Sequence, residues 1–265
     1  MIQFFRRFRQ RLLLENKITR YLLYAFGEIL LVVIGILIAL SINNWNEDKK
    51  NNEYVSVMLK EIYYDLSNDY SIIYVGIEPR LKKKQLGVAK IEEFMMNGKA
   101  PSDSIFMYYY GDMQRGFSLT QRTGAFESLK LGGLDKIKND SLRTHLLQFY
   151  ESTIPRSVKF ITEEDEYIHE KIGILEADIF DFKFITINDS IKLHIKHPKN
   201  NGYINHQSLH KIFNLIMDDT EQKTFRLRDF KKSYDIIMRV IENELEKRKI
   251  PFDYFDLSTL KRDFE

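Results

Sequence analysis

The chain reads as mainly all-α: a single N-terminal transmembrane helix followed by an antiparallel helical bundle, with a small β-hairpin or an ordered loop near residues 180–204. Three observations predict this. Residues 22–42 form a 21-residue run whose single ionisable group is Glu28. Beyond that run, apolar residues recur at three- and four-residue steps over long stretches. Glycine and proline are scarce, 12 and 5 among 265 residues, so long helices meet few breaks. The division that follows is a basic arm at 1–20, a transmembrane helix at 21–42, a bundle at 43–250 and a tail at 251–265.

The apolar run is LLYAFGEILLVVIGILIALSI. As a helix it spans roughly 31 Å, close to the ~30 Å hydrocarbon core of a bilayer. Fourteen of its residues are Leu, Ile, Val or Phe, and together they favour insertion by about 6 kcal/mol. Glu28 opposes this by less than the ~3 kcal/mol of a mid-bilayer carboxylate, because it lies off-centre and desolvation favours its protonation. Arg6, Arg7, Arg9, Arg11, Lys17 and Arg20 precede the run against one acid, Glu15. The excess of basic residues predicts residues 1–20 in the cytoplasm and 43–265 on the periplasmic side of the inner membrane. Tyr21 and Tyr24 at one end and Trp45 at the other fit the aromatic belts of the two interfaces. The length of the run and of its basic arm favours a retained signal-anchor over a cleaved signal peptide, although Ala39-Leu40-Ser41 resembles a cleavage site. Residues 2–14 read either as an interfacial helix or as a plain topogenic arm.

The outer part opens with a long helix at about 45–96. Its stripe is Val55, Leu59, Ile62, Leu66, Ile73, Ile77 and Leu81, with Asp69 where an apolar residue is expected. Pro79 should kink or split it, and Asn97-Gly98 with Pro101 stops it. A short helix at 102–112 opens at Ser102 or Asp103. Residues 123–151 read as a helix, a Gly132-Gly133 turn, a short amphipathic piece, a cap at Asn139-Asp140-Ser141 and a second helix. That second helix extends to about Asp178, bent at Pro155. Partial two-residue alternation from Phe180 to Ile187 and from Ile191 to Ile195, across Asn188-Asp189, gives the hairpin or ordered loop. A helix then starts at Asn205 or Ser208 and ends at about Asp218. A last one runs from Thr220 to Lys249, stopped by Pro251, with Phe225, Phe230, Tyr234, Ile237, Met238, Ile241 and Leu245 on one side. The aromatic start of the tail is placed to dock.

The net charge is +2. With +5 in residues 1–20 and −1 at Glu28, the remainder carries −2, which shows no electrostatic footprint for nucleic acid. The absence of cysteine excludes disulfides, thiolate metal sites and a cysteine nucleophile. No P-loop, GxGxxG or GxSxG motif occurs, so no cofactor and no catalytic residue is assigned. His194, His197, His206 and His210 are the weak metal candidates. His206 and His210, at i and i+4, would share a helix face, but the intervening Gln207-Ser208-Leu209 makes no HExxH motif. Glu163, Glu164, Asp165, Glu166 and Glu170 read as a solvated face. Glu28 is a candidate contact with a cationic or polar group on another membrane helix, and Gly35 with Ala39 forms a small-xxx-small pair that permits close helix packing.

Three stretches carry a family likeness: Glu15-Asn16-Lys17, the entry Tyr24-Ala25-Phe26-Gly27-Glu28-Ile29, and the exit Ile42-Asn43-Asn44-Trp45-Asn46-Glu47. Residues 4–47 closely resemble the opening of a Bacteroidota family known as domain of unknown function 6090. A weaker likeness continues through AFESLK, GGLDKIKN and LRTHLLQFYE. The resemblance implies a membrane-anchored protein of that phylum and supplies no activity. The expected role is therefore a scaffold or accessory interaction subunit, partnered by the bilayer and, through its membrane helix, by another membrane protein or itself. The alternatives are a periplasmic ligand-binding or sensory module and, third, a metal-dependent enzyme.

Overall fold

The structure, a computed structural model, describes residues 18–187 and 191–256. The basic arm up to Lys17, residues 188–190 with the expected Asn188-Asp189 crossing, and the tail beyond Asp256 lie outside the described residues. The chain divides into two compact units, Met1–Val55 and Ser56–Glu265.

Helix α1, Ile18–Ile72, contributes to both units. Within the first, residues 26–50 are all exposed, including the apolar ones from Phe26 to Ile42. This is the one helix among the described residues long and apolar enough to cross a membrane.

In the second unit, α1 passes into a π-helical turn, Ile73–Ile77, and then α2, Glu78–Asn97. The expected break at Pro79 is thus a widened turn just ahead of the proline. Proline has no N–H, and its ring collides with the carbonyl four residues back. A turn bonded five residues apart moves that carbonyl away. The same solution recurs at Pro155. Helix α5, Asp140–Gln148, is followed by a π turn, Phe149–Thr153, and α6, Ile154–Val158. A third π turn, Lys159–Glu163, leads into α7, Glu164–Ile179.

Several expected signals act as read. Gly98 closes α2 in the left-handed conformation, φ 61°, which glycine adopts without steric cost. Helix α3, Asp103–Met113, has Ser102 at its cap position. Helix α4, Gly124–Gly133, ends where Gly133 takes φ 109°, and a 3₁₀ turn, Leu134–Lys136, follows. Asn139 caps α5, its Oδ1 accepting from the Leu142 amide at 3.3 Å. Residues 180–198 form a hairpin, β1 (Phe180–Ile187) antiparallel to β2 (Ile191–Pro198), with Phe180 opposite Pro198 and Ile187 opposite Ile191.

After a 3₁₀ turn, Tyr203–Asn205, one helix, α8, runs from Gln207 to Lys247. The expected break near Asp218 is absent. Asp219 is not a helix end but a buried anchor, 2.7 Å from Lys84 Nζ on α2 and 2.9 Å from Lys223 Nζ one turn on. The helix starts beside the expected positions, capped by His206, whose Nδ1 accepts from the Ser208 amide. Phe225, expected on the inner side, is exposed, with the Arg228 guanidinium 5.0 Å from its ring.

α8 serves two cores. Its N-terminal half packs Leu209, Ile212 and Ile216 with Ile91 of α2, Phe106 and Met113 of α3, Ile172 of α7 and Phe180 of β1. Its C-terminal half carries an aromatic cluster, in which Tyr234 lies 5.0 Å from Phe149 and 5.6 Å from Tyr70 between ring centroids. The start of the tail docks here. Phe252 packs edge-on against Tyr63, Phe255 against Tyr70, and the Phe255 amide donates to the Tyr63 hydroxyl at 2.9 Å.

Candidate functional site

In the first unit the named residues fall on one side of α1. At 100° per residue, Glu28, Gly35 and Ala39 are separated by seven and four positions and so share a face. Glu28 is exposed, and nothing approaches within 4 Å of where a side chain on Gly35 would begin. Trp45 is exposed at the far end and Tyr24 is half-buried. The Tyr21 side chain lies outside the described set.

His206 uses Nδ1 in its capping bond and has extended backbone, φ −75° and ψ 135°, while His210 lies inside α8. The two are joined by the first backbone bond of the helix, His210 N–H to the His206 carbonyl at 3.3 Å. His197 Nδ1 sits 3.0 Å from the Pro198 carbonyl, and the His194 side chain lies outside the described set. Among the described residues no three His, Cys, Asp or Glu gather as metal ligands. Glu170 is exposed, as the solvated-face reading of the acidic run expects, while the side chains of residues 163–166 lie outside the described set.

What the fold does assemble is a polar seam around the C-terminal half of α8. The Asp69 carboxylate accepts from the Arg122 amide and from its guanidinium, each at 2.8 Å, and so ties the segment between α3 and α4 to α1. Burial pushes the Asp69 carboxyl up from its usual range, only partly offset by Arg122. Tyr234 donates to Gln121, and Tyr63 donates to Glu242 at 2.6 Å. Burial, reinforced by nearby carboxylates, raises the Tyr63, Tyr70 and Tyr234 hydroxyls well above the usual tyrosine value, so they remain neutral donors.

Two cavities flank this seam. One, of about 420 Å³, lies beside the first π turn. Its walls include Tyr70, Glu78 and Gln85 on one side and Thr224, Lys231 and Asp235 on α8. Lys231 pairs with Glu78, and Gln85 donates to Thr224 at 3.0 Å, so its polar groups largely satisfy each other. The other, of about 220 Å³, lies against α6 and the π turns on either side of it. Arg156, Ser157 and Phe160 face Arg226, Asp229 and Ser233 of α8 across it. The α8 residues of the first cavity centre on positions 224, 228, 231 and 235, and those of the second on 226, 229, 230 and 233. By 100° steps the two sets point in opposite directions. A third, more open and apolar cavity lies between α7 and the first half of α8, at Ile174, Leu175 and Leu215.

The two α8 cavities went unmarked in the sequence. Arg156 and Arg226 are 70 positions apart and belong to no motif; only the turn that brings α6 against α8 pairs them. A family model described as a family of unknown function, DUF6090, matches residues 28–169, more than half of the chain. No curated protein and no solved structure matches it.

Proposed function

We propose that this protein, which belongs to the DUF6090 family of unknown function, is a single-pass membrane protein acting as an accessory interaction subunit. Its N-terminus lies in the cytoplasm and its helical domain on the far side of the inner membrane. The basic arm against the near-balanced charge after the span supports this direction. One observation carries the interaction reading: Glu28 lies on the same face of an exposed apolar helix as Gly35 and Ala39. Small residues let another backbone approach, and a carboxylate in hydrocarbon needs a partner. The occupant proposed is a helix of a different membrane protein bearing a cationic or hydrogen-bonding group opposite Glu28. A parallel pair of identical helices would instead bring two Glu28 carboxyls together, which disfavours their ionisation.

The test is cross-linking in intact cells, followed by affinity recovery of the full chain in mild detergent and mass spectrometry. Gly35→Ile/Ala39→Ile and Glu28→Leu should each insert normally and lower recovery of a membrane partner by about threefold to thirtyfold, the equivalent of ~0.6–2 kcal/mol at a helix contact. Recovery of the chain alone, only as its own oligomer, or with a partner equally retained by both variants would overturn the proposal.

A further inference from the structure

We infer that the 220 Å³ cavity between α6 and α8 is a binding site for a phosphoryl or similar tetrahedral oxyanion carried on a small group. The inference stands apart from the membrane-helix contact, since every residue in it belongs to the second unit.

The charge arrangement is the first support. Two guanidinium groups, Arg156 and Arg226, line one small cavity. Neither meets a carboxylate within ion-pair distance among the described residues, where most of the other arginines do. The single carboxylate in the lining, Asp229, is already flanked by cations, with Lys232 Nζ at 3.4 Å and Arg228 Nε at 3.6 Å from its Oδ1. Two like charges held at one cavity repel, and an anion between them removes that repulsion. A guanidinium fork is the side chain best shaped for a phosphoryl group, because it presents parallel donors to two oxygens.

Preorganisation is the second support. The Arg226 guanidinium carbon lies 3.6 Å from the centre of the Phe160 ring, so the fork is stacked and its plane fixed before any ligand arrives. Phe160 is held in turn by the π turn Lys159–Glu163. Arg226 is half-buried, which weakens competition from water. Thr153 at the end of the π turn Phe149–Thr153, and Ser157 on α6, add hydroxyls with no hydrogen-bond partner among the described residues. The Ser233 hydroxyl is committed elsewhere, donating to the Asp229 carbonyl at 3.1 Å, so the donors of the site are the two guanidinium groups, Thr153 and Ser157.

Size sets the ligand class. A volume near 220 Å³ is below the ~300–1,000 Å³ of drug-sized sites, so it fits a phosphoryl group with a few further heavy atoms. Such a group comes either from a free phosphate ester or ion, or from the headgroup of a phospholipid.

The experiment uses the full chain in nanodiscs of zwitterionic lipid, at constant ionic strength in chloride. Two probes are titrated by calorimetry: inorganic phosphate, and glycerophosphoglycerol as a lipid headgroup without acyl chains. At least one should bind saturably, and the tighter of the two identifies the source. Arg156→Gln/Arg226→Gln should weaken that binding at least about tenfold. Arg226→Lys keeps the charge but loses the stacked fork, and should fall between. Arg156 is exposed, so Arg156→Gln alone keeps the fold, checked by circular dichroism, and should still weaken binding several-fold. No saturable binding of either probe to the unaltered protein, or undiminished binding by folded Arg156→Gln, overturns the inference.

Discussion

The two halves of α8 enclose very different interiors. Around its first half, Ile91, Phe106, Met113, Leu209 and Ile212 are fully buried, and the main polar group is at the rim: Glu176 accepts from Tyr110, Gln114 and Lys196 at 2.6–2.9 Å. Around its second half the interior holds tyrosine hydroxyls, Asp69 and Gln121, two π turns stand opposite, and a cavity opens on either side. The same 41-residue helix thus makes an apolar interior, with an apolar cleft against α7, along its first half, and a more polar one flanked by π turns along its second. The two more polar cavities open beside these irregular turns, while the apolar one at Ile174, Leu175 and Leu215 opens beside regular helix.

That contrast can be broken or sharpened at three places. The largest effect is expected at the junction of the halves. Asp219→Ala removes the carboxylate that both Lys84 and Lys223 meet, with every side chain at 2% exposure or less. Losing one side of a buried ion pair costs about 3–5 kcal/mol, read as a matching drop in denaturant stability. Asp219→Leu with both Lys84→Met and Lys223→Met should recover much of it. Next is the close-packed half, where Gly87 of α2 faces α3. A methyl group there would lie 2.4 Å from the Met113 amide nitrogen and 2.7 Å from the Tyr109 carbonyl, both backbone atoms that cannot rotate away. Gly87→Ala should therefore destabilise by about 1–3 kcal/mol, despite its better helix propensity, and lower the melting temperature without touching the cavities.

The smallest effect is a pH dependence at the far end of α8. Burial works against ionisation of Glu244, but hydrogen bonds from Asn139 at 2.9 Å and Arg248 at 2.8 Å outweigh it and hold its carboxyl below the usual value. A depressed carboxyl stabilises the fold fully above the ordinary glutamate value near 4.3, and that stability is lost as pH falls through the lowered one. Glu244→Gln should cost about 1 kcal/mol at pH 7 and flatten the stability profile below about pH 4.3, measured by urea unfolding across pH. An unchanged slope would place the acid sensitivity elsewhere in the seam.

The fold was largely legible where the signal is local. Gly98, Asn139 and the alternation around Phe180 each act through neighbours within a few residues, so the sequence carries both the signal and its effect. Asp219 shows the opposite case. As part of Asp218-Asp219 it resembles a helix end, and only Lys84, 135 positions away, turns it into an interior residue. His206 is another residue whose role needs the structure: its Nδ1 caps α8 by accepting from the Ser208 amide. The long apolar helix was visible because hydropathy over about 20 residues needs no tertiary partner. The Arg156 and Arg226 cavity was not, because it depends on which face of α6 a π turn presents, and a one-residue widening has no strong sequence mark beyond the proline that follows.

The opposed cavities along residues 224–235 have a mechanical consequence. A helix of three turns is a single rigid element, so any shift of this stretch of α8 would carry both cavity walls together. A shift toward the Tyr70 side would enlarge the Arg156 side, and any coupling of the two volumes through this single rod would be equal in both directions. Such coupling would pass through the rod itself, held by the Lys231–Glu78 pair on one side and the Phe160–Arg226 stack on the other.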